Sequence, residues 1–181
     1  MHTGQTMITL GALMFLGITV LNMNRSFSDS DVALLHNQYR MEALSLMNTY
    51  KEEAFTRFFD EACTSLISAK RVNDFTAAAS LGMGVGDGGI PNDFDDYHNY
   101  SLTDTGPSGM VYKIFFKVDY VDLSGNQIVT SASRTYHKRM RIYVTDNTAA
   151  GDDPMFYHWK NGLKVRDTLS VSLVNSYWFY N

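Results

Sequence analysis

The hydrophobic pattern changes period twice along the chain, and each change marks a different kind of element. From Thr6 to Met23 the sequence reads TMITLGALMFLGITVLNM: uncharged, with three threonines, two glycines and one asparagine as its only non-apolar residues. Eighteen residues of helix rise about 27 Å, close to the hydrocarbon thickness of a bilayer. The preceding MHTGQ carries no Lys or Arg and no Ala-x-Ala follows the run, so neither flank fits a secretory signal. Helices of soluble cores are rarely apolar on every side. The segment therefore reads as a membrane or filament-core helix whose surface is made by Met7, Ile8, Leu10, Leu13, Met14, Phe15, Leu16, Ile18, Val20 and Leu21. Arg25 is the only cation near either end, so charge gives the orientation little support.

After this run the pattern becomes amphipathic. Residues Ser26 to Ser30 offer capping side chains and mark a candidate break. From Asp31 to Lys70 there is no Gly or Pro, and one apolar stripe runs Leu35, Tyr39, Ala43, Leu46, Tyr50, Ala54, Phe58, Ala62 and Leu66 in steps of three or four. Arg40, Lys51, Glu52, Arg57 and Asp60 fall between those positions, as on a helix with one buried face. A glycine-rich loop is expected from about Asn73 to Gly109, and then the period drops to two. Strands are predicted over Val111–Asp122, Gln127–Thr135 and Lys138–Thr145, and over Met155–Trp159 and Leu163–Tyr180 around an Asn161-Gly162 turn. On the third, Met140, Ile142 and Val144 face one way and Arg139, Arg141 and Tyr143 the other. This order predicts an α+β chain in three parts: a hydrophobic helix over 1–30, its amphipathic continuation over 31–72, and a loop plus antiparallel sheet over 73–181. The sheet is expected to pack on the amphipathic half of the helix.

Composition narrows the function classes. The chain is 45% hydrophobic with only 3 prolines, which fits a folded core rather than disorder. A net charge of −4 argues against nucleic acid as a partner. The nearest basic cluster, His137-Lys138-Arg139-Met140-Arg141, lies in alternating sequence and reads as a solvated strand face. A lone Cys63 allows no intrachain disulfide and fits a helix core position. The five histidines lack metal-ligand spacing, and Gly82-x-Gly84-x-Gly86 neither follows a clear strand nor opens a helix, so no phosphate loop is read there. With no catalytic motif, the chain is not expected to be an enzyme or to carry a cofactor. Asp93, Asp95 and Asp96, with Asp87 nearby, group the hard oxygen ligands that Ca²⁺ takes, but their spacing is not that of an EF-hand. A hydrogen-bonding or solvated turn is the preferred reading, with Lys113, Arg134 or Lys138 as candidates to offset the carboxylates. Asp146, Asp152 and Asp153 are read in the same way. Tyr177-Trp178-Phe179-Tyr180 is read as an edge strand in the sheet core.

Several stretches together resemble the type IV pilin and pseudopilin superfamily, and MSHA-type minor pilins in particular. Gly4-Gln5 before an apolar helix resembles the prepilin processing site, cut after the glycine. Arg40–Ala62 (RMEALSLMNTYKEEAFTRFFDEA) resembles the helix continuation, and Asn92–Tyr100 (NDFDDYHNY) an acidic-aromatic loop of that group. The order strand, Ser-Gly turn, strand and then Lys138-Arg139 opening a strand is similar to their sheet. One position departs: where pilins usually carry Glu as the fifth mature residue, counting from Gln5 places Thr9. The resemblance implies a pilus filament subunit that sits in the inner membrane, is handled by pilus assembly machinery, and joins copies of itself in a helical extracellular filament used for adhesion or motility. A membrane-anchored surface binding protein that does not polymerise is the alternative.

Overall fold

The computed structural model describes residues 3–64, 70–125, 127–149 and 151–178, and over these the chain is α+β. It divides into two compact units, Met1–Gln38 and Tyr39–Asn181. Helix α1 (Thr3–Thr56) belongs to the first unit up to Gln38 and to the second from Tyr39 on.

The candidate break at Ser26–Ser30 is absent. No Gly or Pro lies between Gly17 and Gly82, and the Ser30 hydroxyl, instead of capping, donates to the Ser26 carbonyl at 2.9 Å inside the helix. The helix also ends well before Lys70. Past Thr56 the Arg57 N–H bonds Ala54 O, and the Phe58 carbonyl accepts from Phe94 N at 2.8 Å beside a parallel bridge of Phe58 with Asp93. The backbone that would have continued the helix is thus taken up by a distant loop. A short 3₁₀ turn (Glu61–Cys63) follows, capped by the Asp60 carboxylate, which accepts from Ala62 N at 3.1 Å. Cys63 sits half-buried in this turn rather than in a helix, and Leu66 lies outside the described residues.

The head is built on an antiparallel sheet. Strand β1 (Ser101–Thr105) pairs with β2 (Val111–Ser124), which carries β3 (Gln127–Thr130) on its far end. Strand β4 (His137–Asp146) lies between β2 and β7 (Leu169–Ser176). Strands β5 (Tyr157–Lys160) and β6 (Leu163–Arg166) form a separate hairpin. Its Asn161 and Gly162 both have positive φ, 53° and 78°, as a type I′ turn requires. The expected loop up to Gly109 hides β1, whose sequence SLTDT is short and polar. Strand β7 stops at Ser176, so the aromatic tail is not an edge strand: Tyr177 packs on Phe59 and Phe75, Trp178 is exposed, and Phe179 and Tyr180 fall outside the described residues.

The second half of α1 covers one face of the sheet. Tyr112, Ile114, Phe116 and Val118 of β2 alternate with polar residues and, with Met140, Ile142 and Val144 of β4, bury Ala43, Met47 and Ala54. Tyr39, Leu46 and Tyr50 complete the contact, so five residues of the predicted stripe lie in the core; Met47 joins them, while Phe58, beyond the helix, is exposed. Glu42 is the polar exception on this face. Its carboxylate accepts from Ser108 Oγ at 2.6 Å and Tyr112 Oη at 3.2 Å. That arrangement requires Gly106: a Cβ there would stand 2.9 Å from the Tyr112 ring and closer still to the Glu42 carboxylate.

Candidate functional sites

Two features stand apart from an ordinary core: an uncovered apolar helix and a buried cluster of charge. In the first, every predicted surface residue from Met7 to Leu21 is exposed, Met7 at 78% and Phe15 at 74%. The apolar stretch is long enough to cross a membrane, and none of it is buried within the protein. Its threonine hydroxyls are satisfied by the helix itself. Thr6 Oγ1 donates to Thr3 O, Thr9 Oγ1 to Thr6 O, both at 2.9 Å, and Thr19 Oγ1 to Phe15 O at 2.8 Å. Hydroxyls bonded this way cost little in a medium without water. Gly4, Gly11 and Gly17 have open space where a side chain would be, and Gln5 follows Gly4 within the helix, its carbonyl accepting from Thr9 at 3.2 Å.

The second feature corrects the reading of the basic cluster as a solvated face. Alternation along β4 sends Arg139 and Arg141 to one side and Lys138 to the other, where its side chain is completely buried. Its ammonium donates to Asp60 Oδ2 at 2.6 Å, Asp95 Oδ1 at 2.7 Å and Phe59 O at 2.9 Å. All three N–H groups are used, and the Phe59 and Tyr120 rings flank the charge at 4.6 and 5.2 Å. Asp60 also accepts from Thr76 N and Thr76 Oγ1. Lys138 thus ties the segment that follows α1, the residue 92–97 loop and β4 together. Burial in this form is costly unless each charge is matched, and here it is.

The acidic loop is therefore a hydrogen-bonding turn, but buried rather than solvated. Asp93, Asp95 and Asp96 are at most 2% exposed. Asp93 Oδ1 accepts from Asp95 N at 2.8 Å and Asp96 N at 3.0 Å, and Asp96 Oδ2 from Asn92 N at 2.8 Å. Asp93 Oδ2 is buried without a hydrogen-bond partner. Burial, then the neighbouring Asp95 charge, pushes the Asp93 carboxyl up to about 8. Burial also raises Asp95, against the opposing pull of Lys138, and Asp96 is raised by burial. Asp93 is thus the member shifted furthest toward its protonated form, while Asp95 faces the ammonium. Apart from Asp93 Oδ2, the bonded carboxylate oxygens point at backbone amides and at Lys138. Among the described residues no three His, Cys, Asp or Glu side chains gather to hold a metal ion.

The second acidic group is split. Asp146 is buried and accepts from Met155 N and Phe156 N at 2.8 and 3.2 Å, while Asp153 pairs with Lys164. Of the candidate cations for the acidic loop, Lys138 reaches Asp95, whereas Lys113 lies exposed on the opposite face of the sheet. Sequence reasoning placed Asp60 only among the charged residues off the apolar stripe, whereas it is completely buried against Lys138. The available signal for Lys138 was its parity with Met140, Ile142 and Val144.

Comparison of the chain with protein-family models, with curated proteins and with solved structures finds no match.

Proposed function

We propose that the chain is a subunit of a type IV pilus-like filament, held in a membrane by its N-terminal helix and then assembled through it. The observation that carries this reading is the apolar stretch of α1, fully exposed yet internally satisfied in its hydroxyls. Such a surface needs a covering solvent, and either lipid or the same helix from other copies supplies one. The open spaces at Gly11 and Gly17 suit close approach of a neighbouring helix. Gly4-Gln5 is the candidate processing site, and the inner membrane before assembly and the cell surface after it are the locations this reading entails. The sheet head, with its own core from Tyr39 onward, is the part displayed. No catalytic step is assigned.

Electron microscopy of sheared surface material, with mass spectrometry of the subunit, tests the proposal. Filaments containing this chain are expected, and deletion of Met1–Asn24 is expected to leave a head that no longer assembles. A chain found only as single membrane-anchored copies would replace the filament with the anchored binding protein. Filaments formed by the truncated protein would remove the helix from the assembly altogether.

A further inference from the structure

The buried cluster at Lys138 holds an amine against a carboxyl in a site that water does not reach. Lys138 and Asp60 are completely buried, and Asp95 is 2% exposed. The Lys138 nitrogen stands 2.7 Å from Asp95 Oδ1 and 2.6 Å from Asp60 Oδ2. One cation therefore faces two anions away from solvent, between the Phe59 and Tyr120 rings.

The two carboxyls differ in their surroundings. Asp60 also accepts from Ala62 N, Thr76 N, Thr76 Oγ1 and Tyr120 Oη, so both its oxygens act as acceptors. Asp95 has Lys138 as the one N–H donor to its carboxyl among the described residues. Burial moves Asp95 toward its neutral form, against the pull of Lys138 and with the Asp60 charge adding to the rise. A base fixed by many donors thus lies on one side of the amine, and a carboxyl biased toward the acid on the other.

We propose that Lys138 Nζ and Asp95 Cγ close an intramolecular isopeptide bond, with Asp60 relaying the proton. The ammonium first passes a proton to Asp95 Oδ1 along their hydrogen bond, leaving a neutral amine beside a neutral acid. The Asp95 carboxyl turns about Cβ–Cγ, a soft torsion, and presents Cγ to the nitrogen. The amine lone pair forms the Nζ–Cγ bond. Asp60 takes a proton from Nζ and hands it to the departing hydroxyl, the Cγ–O bond breaks and one water leaves. Asp60 ends as the carboxylate it began as, and no co-reactant is consumed. Fixed in contact, the two groups gain an effective concentration of about 10⁵ M or more. The product replaces two buried charges by a neutral amide. Its N–H is within reach of Asp60 Oδ2 and Phe59 O, already at 2.6 and 2.9 Å from Nζ. The bond fastens the residue 92–97 loop to β4 whether or not the chain polymerises.

The test is mass spectrometry of the full chain purified in detergent, intact and after digestion. The parent is expected to be one water lighter than Lys138→Arg once the substitution is allowed for, and to yield a branched peptide joining Lys138 to Asp95. Lys138→Arg keeps a cation between the carboxylates but has no primary amine, so it should keep its water. Asp60→Asn leaves both reacting groups in place and cannot relay a proton. It is expected to slow closure about a hundredfold, so that freshly purified protein is unlinked. Circular dichroism checks that each variant is folded, and Asp60→Asn carries the test if Lys138→Arg unfolds. A folded parent of full mass, cut by trypsin after Lys138, would overturn the proposal. So would a lost water that persists in Lys138→Arg, as a succinimide at Asp87-Gly88 gives. Closure of Asp60→Asn at the parent's rate would overturn the relay.

Discussion

The two halves of α1 have nearly the same local structure and opposite relations to their surroundings. Up to Gln38 the helix exposes Leu10, Phe15 and Leu16 and folds its threonine hydroxyls back on its own carbonyls. From Tyr39 on, the same helix buries Ala43, Met47 and Ala54 against a sheet and spends its polar groups on distant partners: Glu42 on Ser108 and Tyr112, and Tyr50 on Asp104 at 3.0 Å. A helix supplies its own backbone hydrogen bonds wherever it lies. What differs is who covers the side chains. In the head the chain covers them itself, and in the first unit the covering must come from outside.

The largest effect that separates the halves is expected at Lys138. Lys138→Ala leaves Asp60 and Asp95 facing each other in the core without their cation, which costs about 3–5 kcal/mol. For a head of this size that is a fall of roughly 10 °C in melting temperature. Membrane retention of the same variant should be unchanged, since the first unit has no part in the cluster. Circular dichroism melts of the full chain in detergent, together with membrane fractionation, check both halves of the statement. Loss of retention would show that the two units are not independent.

The reverse experiment is Leu16→Lys. An ionised group at the centre of an apolar span costs about 2.5–3.5 kcal/mol on insertion scales. Retention or assembly is expected to fail while the head melts at its original temperature. A variant retained and assembled like the parent would mean that this face meets neither lipid nor a dry bundle. Gly106→Ala comes next, at about 1–3 kcal/mol, because the added Cβ must displace the Tyr112 ring or the Glu42 carboxylate. An unchanged melting temperature there would mean that the helix shifts easily on the sheet.

Legibility follows the same division. The apolar half could be read as a helix without a partner in the head, because eighteen uncharged residues with no polar face admit few structures. The inner face of β2 and β4 could be read because alternation is a local property. The helix stop could not, because nothing in residues 31–70 breaks a helix; it is set by the backbone of Phe58 pairing with the loop at Asp93 and Phe94. Strand β1 escaped because SLTDT is held by its pairing with β2, not by its own pattern. Lys138 was concealed by its neighbours. Three cations in five residues suggest a wet surface, although strand parity assigns one of them to the core. Asp60, its first partner, lies far away in sequence and is anonymous without the fold.

The remaining prediction concerns the proton on Asp93, an effect spread over several pH units rather than concentrated in one substitution. Its folded carboxyl titrates near 8, far above the usual carboxylate range, because it is buried beside Asp95. In the unfolded chain the same group loses its proton near 4. Between those values the folded state holds a proton that the unfolded state has released, so stability falls as pH rises. Stability from this group is complete below pH 4, declines through the interval and levels off above about 8. One proton sets the limiting slope at about 1.4 kcal/mol per pH unit, and coupling to Asp95 and Lys138 spreads and reduces it. Asp93→Asn keeps an oxygen for the amides of Asp95 and Asp96 but has no proton to lose. Its melting temperature should therefore stay flatter than the parent's between pH 5 and pH 8, with the two converging at the acid end. Parallel curves for parent and variant would mean that Asp93 is ionised in the folded head, and that Lys138 balances three carboxylates rather than two.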